Sequence, residues 1–331
     1  MSTKNTLAFS PLRVSFAGGG TDISPFAEKY GGAVINSTIE RGVFLSYTQD
    51  SYPIEISSRD FLRTFILGNH DEDNIQNKII ELLDEYGIRS GRLYISDEVP
   101  PGSGLGSSSA LITALLKIIH EVRGERIEPL ALAEEAYRKE KDFFGITLGK
   151  QDPYAIAIGG FKYMEFNPDG IRTEPFSDDS TVKFIDDRML LVYTGKTRES
   201  SAILSDQVSK SATGDQDTIQ RLKELKDITH LMRNAIIERN FDRFFALINQ
   251  GWNVKKNLGK NVSSEKIEAI ISKSISMGAK AARLLGGGNQ GFVLIMAEPE
   301  RLPFIQIEMT KFSTFVTRIS TSDRGTRIIR L

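Results

Sequence analysis

Between an apolar strand signal, RLYISDEV, and an apolar helix signal, SALITALLKII, the chain places PPGSGLGSSSA at residues 100–110. The eight residues from Gly102 to Ser109 hold three glycines and four serines. Such a segment is poor core material, and an ordinary turn needs less. Glycines let a backbone approach a ligand closely and point successive N–H groups inward. The helix is expected to begin near Ser108, so its unpaired N–H groups and positive dipole end face the same loop. Strand, glycine loop and helix N-terminus together make an anion site, most often for phosphate. The helix is apolar nearly all round, which predicts a buried, rigid support. A simpler alternative, a serine-capped helix after a flexible turn, needs one serine rather than four. The run G-x-x-x-x-G-K-[ST] does not occur. A G-x-G-x-x-G match at Gly286, Gly288 and Gly291 has a strand after it instead of the helix that a dinucleotide site requires.

The 331 residues are enough for two domains. A formal charge of -1 gives no reason to expect nucleic acid or an anionic membrane as partner. With no cysteine, disulfides, thiolate metal sites and cysteine nucleophiles are excluded. The three histidines, His70, His120 and His230, lack ligand spacing and are expected to be structural. Any metal would then be a hard cation on oxygen ligands. No run of apolar residues reaches membrane-span length, and the N-terminal stretch has no apolar core of a signal peptide. A cytoplasmic location is the expectation.

The pattern along the chain is mixed α+β. RVSFAGGGTD reads as a strand entering a glycine turn. GAVINSTIERGVFLSYT reads as two extended segments broken near Glu40-Arg41-Gly42. A helix opening at Glu128-Pro129 should run to about Phe144, with proline in its first turn. The polar stretch 167–181 reads as a domain boundary, giving domains over 1–170 and 171–331. In the second half, a strand at MLLVYTG precedes helices around 215–239, 241–258 and 264–277. Two strands around the glycine turn 286–291, a helix near 299–311 and a last strand FVTRIST complete the pattern.

PPGSGLGSSSA resembles the phosphate loop of the GHMP kinases, P-x-x-x-G-L-G-S-S-x-A. PLRVSFAGGGTD at 11–22 is similar to the first motif of that family, and LLGGGNQGFVLIM at 284–296 to the third. The three occur in the family order and span most of the chain. The resemblance implies a two-domain fold: an N-terminal domain like ribosomal protein S5 domain 2, then a ferredoxin-like C-terminal domain. It also implies ATP and Mg²⁺ as cofactors, with the ATP phosphates held by Gly102, Ser103, Gly104, Leu105, Gly106, Ser107, Ser108 and Ser109.

Two acidic residues stand out before any family is invoked. Glu140 falls within an apolar helical stripe formed by Ala133, Ala136, Tyr137, Phe143 and Phe144. A carboxylate there must be paired with a cationic side chain or bound to metal. Asp152, in GKQDPYA, suits a helix N-cap before proline, or a base that takes the proton of an attacking hydroxyl. The resemblance implies Mg²⁺ ligation by Ser108 and Glu140, with Asp152 and Arg13 as the catalytic pair. It places Gly18, Gly19, Gly20, Thr21, Asp22, Asp152, Gly287 and Gly288 at the substrate. Where galactokinases carry Glu-His before Thr-Asp, this chain has Gly19-Gly20, whose bare N–H groups would accept an anionic substrate.

The first motif and LGKQDPYA are similar to one branch of the family, kinases that phosphorylate the C1 hydroxyl of a heptose 7-phosphate on the way to surface glycans. The partners implied are ATP and a phosphorylated sugar. Arg41, Lys150 and Lys162 are candidates for holding the sugar phosphate. An L-fucose-type or other anomeric kinase, and an inactive sugar or nucleotide sensor, are the alternatives. The sequence fixes no oligomeric state; two-fold dimers are the commonest assemblies, so a homodimer is the default.

Overall fold

The computed structural model describes residues 5–58, 63–66, 75–100, 102–143, 145, 147–195, 200–259 and 261–330. His70, Pro101 and Phe144 lie outside the described residues. The first sheet takes β1 (Asn5–Ala17), β2 (Gly32–Pro53), β3 (Glu55–Ser58), β4 (Arg63–Ile66), β5 (Ser90–Asp97), β6 (Phe161–Asn167) and β7 (Gly170–Pro175). The second takes β8 (Met189–Tyr193), β9 (Ala279–Leu284), β10 (Phe292–Ala297) and β11 (Val316–Arg318). The last strand, β12 (Arg327–Ile329), returns to the first sheet and pairs with β1. Around the first sheet lie α1 (Phe26–Tyr30), α2 (Ile75–Glu85), α3 (Ser107–Val122), α4 (Pro129–Arg138) and α5 (Gln151–Ile158). The later helices are α6 (Asp179–Asp186), α7 (Ser200–Thr213), α8 (Gln216–Ile237), α9 (Phe241–Lys255), α10 (Glu265–Ser276) and α11 (Leu302–Met309).

β1 is buried along nearly its whole length rather than on alternate residues. A strand covered on both faces reads as a continuous apolar run, and here α3 and α5 as well as α8 and α9 pack against it. β2 continues unbroken through Glu40-Arg41-Gly42, where two segments were expected. What changes there is its partner. Residues Gly32–Ser37 pair with β6, and Val43–Thr48 with β5. The register against β1 also slips between Pro11 and Arg13, as proline without an N–H requires near a ladder.

The second sheet has the order β11-β8-β10-β9, all antiparallel. Numbered within that unit the order is 4-1-3-2, with helices in both crossovers, which is the ferredoxin-like arrangement expected. The polar stretch 167–181 holds β7, so the expected division at 170/171 falls at the turn of the β6–β7 hairpin. Charged, low-hydropathy strands such as GIRTEP carry no alternation signal, and β7 is mostly exposed. α2, α6 and α7 were not anticipated. FVTRIST is followed by one more strand, β12, too short for periodicity to reveal.

His120 sits between Glu125 and Glu135, 2.8 Å from each, and His230 hydrogen-bonds the Tyr163 hydroxyl at 3.0 Å. Both are engaged in packing networks away from the glycine loops. Lys162, on β6, is fully buried and donates to the carbonyls of Ala155, Gly159 and Gly160 at 3.2, 2.9 and 3.0 Å. It closes the C-terminus of α5, whose last carbonyls have no helical donor.

Lys162→Met should lower the unfolding free energy by about 1–3 kcal/mol near neutrality, because the Gly159 carbonyl loses its donor while the Ala155 and Gly160 carbonyls keep the Gly159 and Thr38 amides. Burial lowers the folded-state pKa of this lysine to about 7, against 10.5 as the ordinary value. Between those values the unfolded chain holds the extra proton, so this group makes stability rise with pH by up to about 1.4 kcal/mol per unit. Urea melts at pH 7 and 9 should therefore show a shallower rise in the variant; an unchanged slope would contradict the buried amine.

Candidate functional site

The glycine-serine loop leads directly into α3. Gly102, Gly104 and Gly106 all have left-handed backbones, with φ of 73, 71 and 79°. Gly106 is the N-cap of α3, and no side chain caps the helix. The serine-cap alternative is therefore excluded: the serines occupy the first turn, not the cap. A Cβ on Gly104 would stand 2.7 Å from the Leu285 carbonyl oxygen, and one on Gly286 would stand 2.6 Å from Gly104 Cα. The two glycine turns, one from each half of the chain, touch backbone to backbone.

Arg13 organises what lies beside this contact. It is 4 % exposed, near the middle of β1. Its Nε and Nη2 donate to Asp152 Oδ1 and Oδ2, both at 2.7 Å, and its Nη1 donates to the Gly104 carbonyl at 2.6 Å. This is the two-pronged geometry that makes arginine–carboxylate pairs specific. Asp152 lies in the first turn of α5 and keeps a 26 % exposed side chain, facing the cavity.

Glu140 lies in a single π-helical turn, Lys139–Phe143, that continues α4. α4 itself stops at Arg138, short of the expected Phe144. One-turn π segments recur at functional sites because they rotate one side chain out of the α register. Here the 1 % exposed Glu140 accepts from the Ser108 hydroxyl at 3.1 Å and the Ser109 hydroxyl at 2.6 Å. Among the described residues no cationic side chain pairs with it. Burial, with Asp152 close by, pushes its pKa up to about 8.

Asp22 closes the turn after β1. Its carboxylate accepts from the Gly20 and Gln151 amides at 3.0 and 2.9 Å, and its carbonyl accepts from the Lys150 amide at 3.1 Å. Burial nonetheless raises its pKa. Gly149 has to be glycine, since a Cβ there would lie 1.9 Å from Asp22 Oδ2.

These groups border one cavity of about 230 Å³. Of the candidate site residues, Arg13, Gly19, Gly20, Asp22, Gly104, Gly106, Ser108, Ser109, Glu140, Asp152 and Gly287 line it, together with Gly286, which had not been singled out as a site residue. Other expected residues stand behind it. Gly18 packs on the Ala33 carbonyl, Thr21 spends its hydroxyl on Gly18 and Ala33, and Gly288 packs on Val262. Ser103 and Leu105 are buried supports of the loop, with Leu105 O accepting from Arg13 N. Gly102 faces Gln290, and Ser107 is in the first turn of α3 without reaching the cavity.

Two of the three candidate phosphate-binding cations are engaged elsewhere: Lys162 caps α5 and Arg41 donates to Thr317 on the second sheet. Lys150 adjoins the lining residues Gly149 and Gln151, with its ammonium 5.8 Å from the Tyr137 ring centre. For Arg41 and Lys162 nearness in sequence to a motif was a poor guide, because the side chains leave on other faces of their elements. The sequence reading missed Ser15, Gln151, Gln207 and Lys255, all of which line the cavity. Lys255 was legible in principle: Phe244, Ile248, Gly251 and Lys255 recur at helical spacing on the buried face of α9. Gln207, on the weakly patterned α7, gave no such signal.

Residues 74–160 match the model of the GHMP kinases N terminal domain. Over that segment the chain is similar to the GHMP kinases, and the relatives it matches are named kinases, phosphotransferases with an alcohol group as acceptor. A curated relative is the D-glycero-alpha-D-manno-heptose 7-phosphate kinase of Campylobacter jejuni, 29 % identical over 97 % of this chain and 98 % of that protein. The L-fucokinase/L-fucose-1-P guanylyltransferase of Bacteroides fragilis is 26 % identical over 97 % of this chain but only 38 % of that longer protein. The crystal structure of a D-glycero-D-manno-heptose 1-phosphate kinase from Bacteroides thetaiotaomicron superimposes with a TM-score of 0.78. It covers 98 % of this chain and 99 % of that one at 24 % identity, which shows the common fold. Among the described residues no helix is long and apolar enough to cross a membrane.

The contact between the two glycine turns can be tested without any substrate. Gly104→Ala should cost about 1–3 kcal/mol of stability from left-handed strain plus the clash with Leu285 O. Gly124→Ala has a similar φ of 73° but nothing within 4 Å of the new carbon, so it should cost distinctly less. Equal losses in calorimetric melts would mean that the turns do not press on each other.

Proposed function

We propose that this protein is an ATP-dependent sugar kinase acting on the anomeric C1 hydroxyl of D-glycero-D-manno-heptose 7-phosphate to give the 1,7-bisphosphate. The observation that carries the reading is the Arg13–Asp152 pair, tied to Gly104 and opening on the same cavity as Glu140. The end-to-end similarity to a heptose 7-phosphate kinase supports the choice of acceptor.

In this reading the cavity-facing part of the loop, Gly104, Gly106, Ser108 and Ser109, holds the ATP phosphates with backbone N–H groups and the positive end of α3, while Gly102, Ser103, Leu105 and Ser107 support it. Asp152 accepts the proton of the C1 hydroxyl as its oxygen forms a bond to the terminal phosphorus and the bond from phosphorus to the ADP oxygen breaks. Arg13 holds Asp152 in place with two hydrogen bonds and adds positive charge beside the transferring group. Asp22 accepts from sugar hydroxyls with the lone pairs its backbone donors leave free. Gly287 and Gly20 supply close-approach backbone on the acceptor side.

Glu140 fits a divalent cation. Its carboxylate is buried against hydroxyl donors alone, and such a group needs either a proton or a positive charge. Ser108 and Glu140 would hold Mg²⁺, with Ser109 fixing the second carboxylate oxygen. The ion would neutralise charge on the phosphates.

The similarity over 97 % of the chain to a fucokinase keeps an unphosphorylated sugar as the second reading. ADP release with Mg-ATP against heptose 7-phosphate, mannose, mannose 6-phosphate, sedoheptulose 7-phosphate, fucose and galactose separates the two. Turnover confined to heptose 7-phosphate is expected, and turnover with free fucose instead would overturn the acceptor assignment. Asp152→Asn should lower kcat by about 10²–10⁴ while ATP affinity stays within a few-fold. Full activity in that variant would remove Asp152 from catalysis. Glu140→Gln should raise the Mg²⁺ concentration needed for half-maximal rate by tenfold or more, and an unshifted Mg²⁺ titration would exclude Glu140 as ligand.

A further inference from the structure

Lys255 ends α9 on its buried face and is 8 % exposed. Its ammonium donates to the Gly286 carbonyl at 2.9 Å. An ammonium has three donors, and among the described residues no carboxylate forms an ion pair with it. Arg283 lies beside it, 2 % exposed, donating to the carbonyls of Phe16 and Leu284 and likewise without a carboxylate partner. Two buried cations without counter-ions carry a large desolvation cost that an anion would offset. Asp22 is near, but its oxygens already serve the Gly20 and Gln151 amides. Burial first, and then Arg283, drop the Lys255 pKa to about 7.

The donors converge on one place. A Cβ on Gly19 would lie 3.2 Å from Lys255 Nζ, 3.6 Å from Ser15 Oγ and 3.9 Å from Gln151 Nε2. The Ser15 hydroxyl donates to Gln151 Oε1 at 2.9 Å, which fixes the amide with its NH₂ toward the cavity. The absent side chain of Gly19 thus leaves a small cradle edged by an ammonium, an amide NH₂ and a hydroxyl. None of Ser15, Gly19, Gln151 and Lys255 belongs to the glycine-serine loop, and Gln151 adjoins Asp152. Gln151 thus joins the cradle directly to Asp152, the residue read above as acting on the acceptor hydroxyl.

We propose that this cradle binds the phosphate monoester carried by the acceptor, and that Lys255 is the residue that separates a phosphorylated sugar from a free one. This rests on the sugar-kinase reading above. The terminal phosphate of the nucleotide offers the same chemistry, and the test distinguishes the two sources.

Calorimetric binding of heptose 7-phosphate, mannose 6-phosphate and mannose would be measured on the whole protein with Mg²⁺ and a non-hydrolysable ATP analogue. Wild type, Lys255→Met and Lys255→Arg would be compared. Lys255→Met should weaken the sugar phosphates by about 30-fold or more, the scale of a lost charge-assisted hydrogen bond. Mannose and the ATP analogue should stay within about threefold, with Lys255→Arg recovering part of the loss. If Lys255→Met does not fold, Gln151→Leu, which keeps the backbone amide, should show the same selective loss at smaller size. Weakening of the ATP analogue alone would assign the cation to the nucleotide and overturn the proposal. Equal weakening of mannose and its phosphate would do the same, as would a wild type that binds no sugar phosphate. Sugar phosphates that bind through Lys255 but are never turned over would leave the cradle standing and overturn the kinase substrate instead.

Discussion

One guanidinium holds three parts of this molecule in register. Arg13 reaches from β1 to both oxygens of Asp152 and to the carbonyl of Gly104. The strand, the phosphate loop and the start of α5 meet on that side chain. Removing Asp152 would strand the buried Arg13 charge at a cost of about 3–5 kcal/mol, whereas Asp152 left alone could still be reached by water. The rigidity this implies is useful here. A group that takes a proton from a hydroxyl must stand within hydrogen-bond reach of it, and small misplacements are costly. β1 can supply the anchor because helices cover both of its faces and its own ladder runs to β2 and β12.

Around that pair the cavity is charged but not neutralised group by group. Among the described residues, Glu140 has hydroxyl donors and no cation, and Lys255 has a carbonyl and no carboxylate. Burial pushes the first up to about 8 and the second down to about 7, each toward its neutral form. A carboxylate and an ammonium held apart in a low-dielectric cavity are unfavourable in the free protein. In the proposed reading they become favourable when a cation and a phosphate arrive together. Stability given up at a site in this way is a common cost of keeping binding groups in position before the ligand comes.

The parts of the site that could be read from the sequence are those whose chemistry is local. Gly102 to Ser109 announce a phosphate loop because no other use of three glycines and four serines between a strand and a helix is economical. Glu140 announces itself as a carboxylate on an apolar stripe. Its actual posture, in a π turn, was not legible, since one extra residue in a helical turn leaves the apolar pattern almost unchanged. Arg41 and Lys162 misled because sequence proximity says nothing about which face a side chain leaves from. Lys255 would have been found by the argument applied to Glu140, had it been applied to α9. The strands β7 and β12 lacked periodicity: one is mostly exposed, and the other has three residues.

The site cannot be assigned to one half of the chain. Arg13, Asp152 and Glu140 come from elements on the first sheet, while Lys255, Gly286 and Gly287 come from α9 and the β9–β10 turn. The halves are joined at the phosphate loop itself. Ser103 O accepts from Phe292 N at 3.0 Å, so the loop is hydrogen-bonded to the first residue of β10. Gly104 and Gly286 then approach too closely for any side chain. β12 closes the circuit by pairing with Leu7–Phe9 of β1, the strand that also carries Arg13. A shift of the second sheet against the first would therefore pull on the phosphate loop and, through the Gly104 carbonyl, on Arg13 and Asp152. Glycine at 104 and 286 is required less for flexibility than for contact. It lets two backbones meet at the edge of the cavity, where the proposed nucleotide and acceptor sites adjoin.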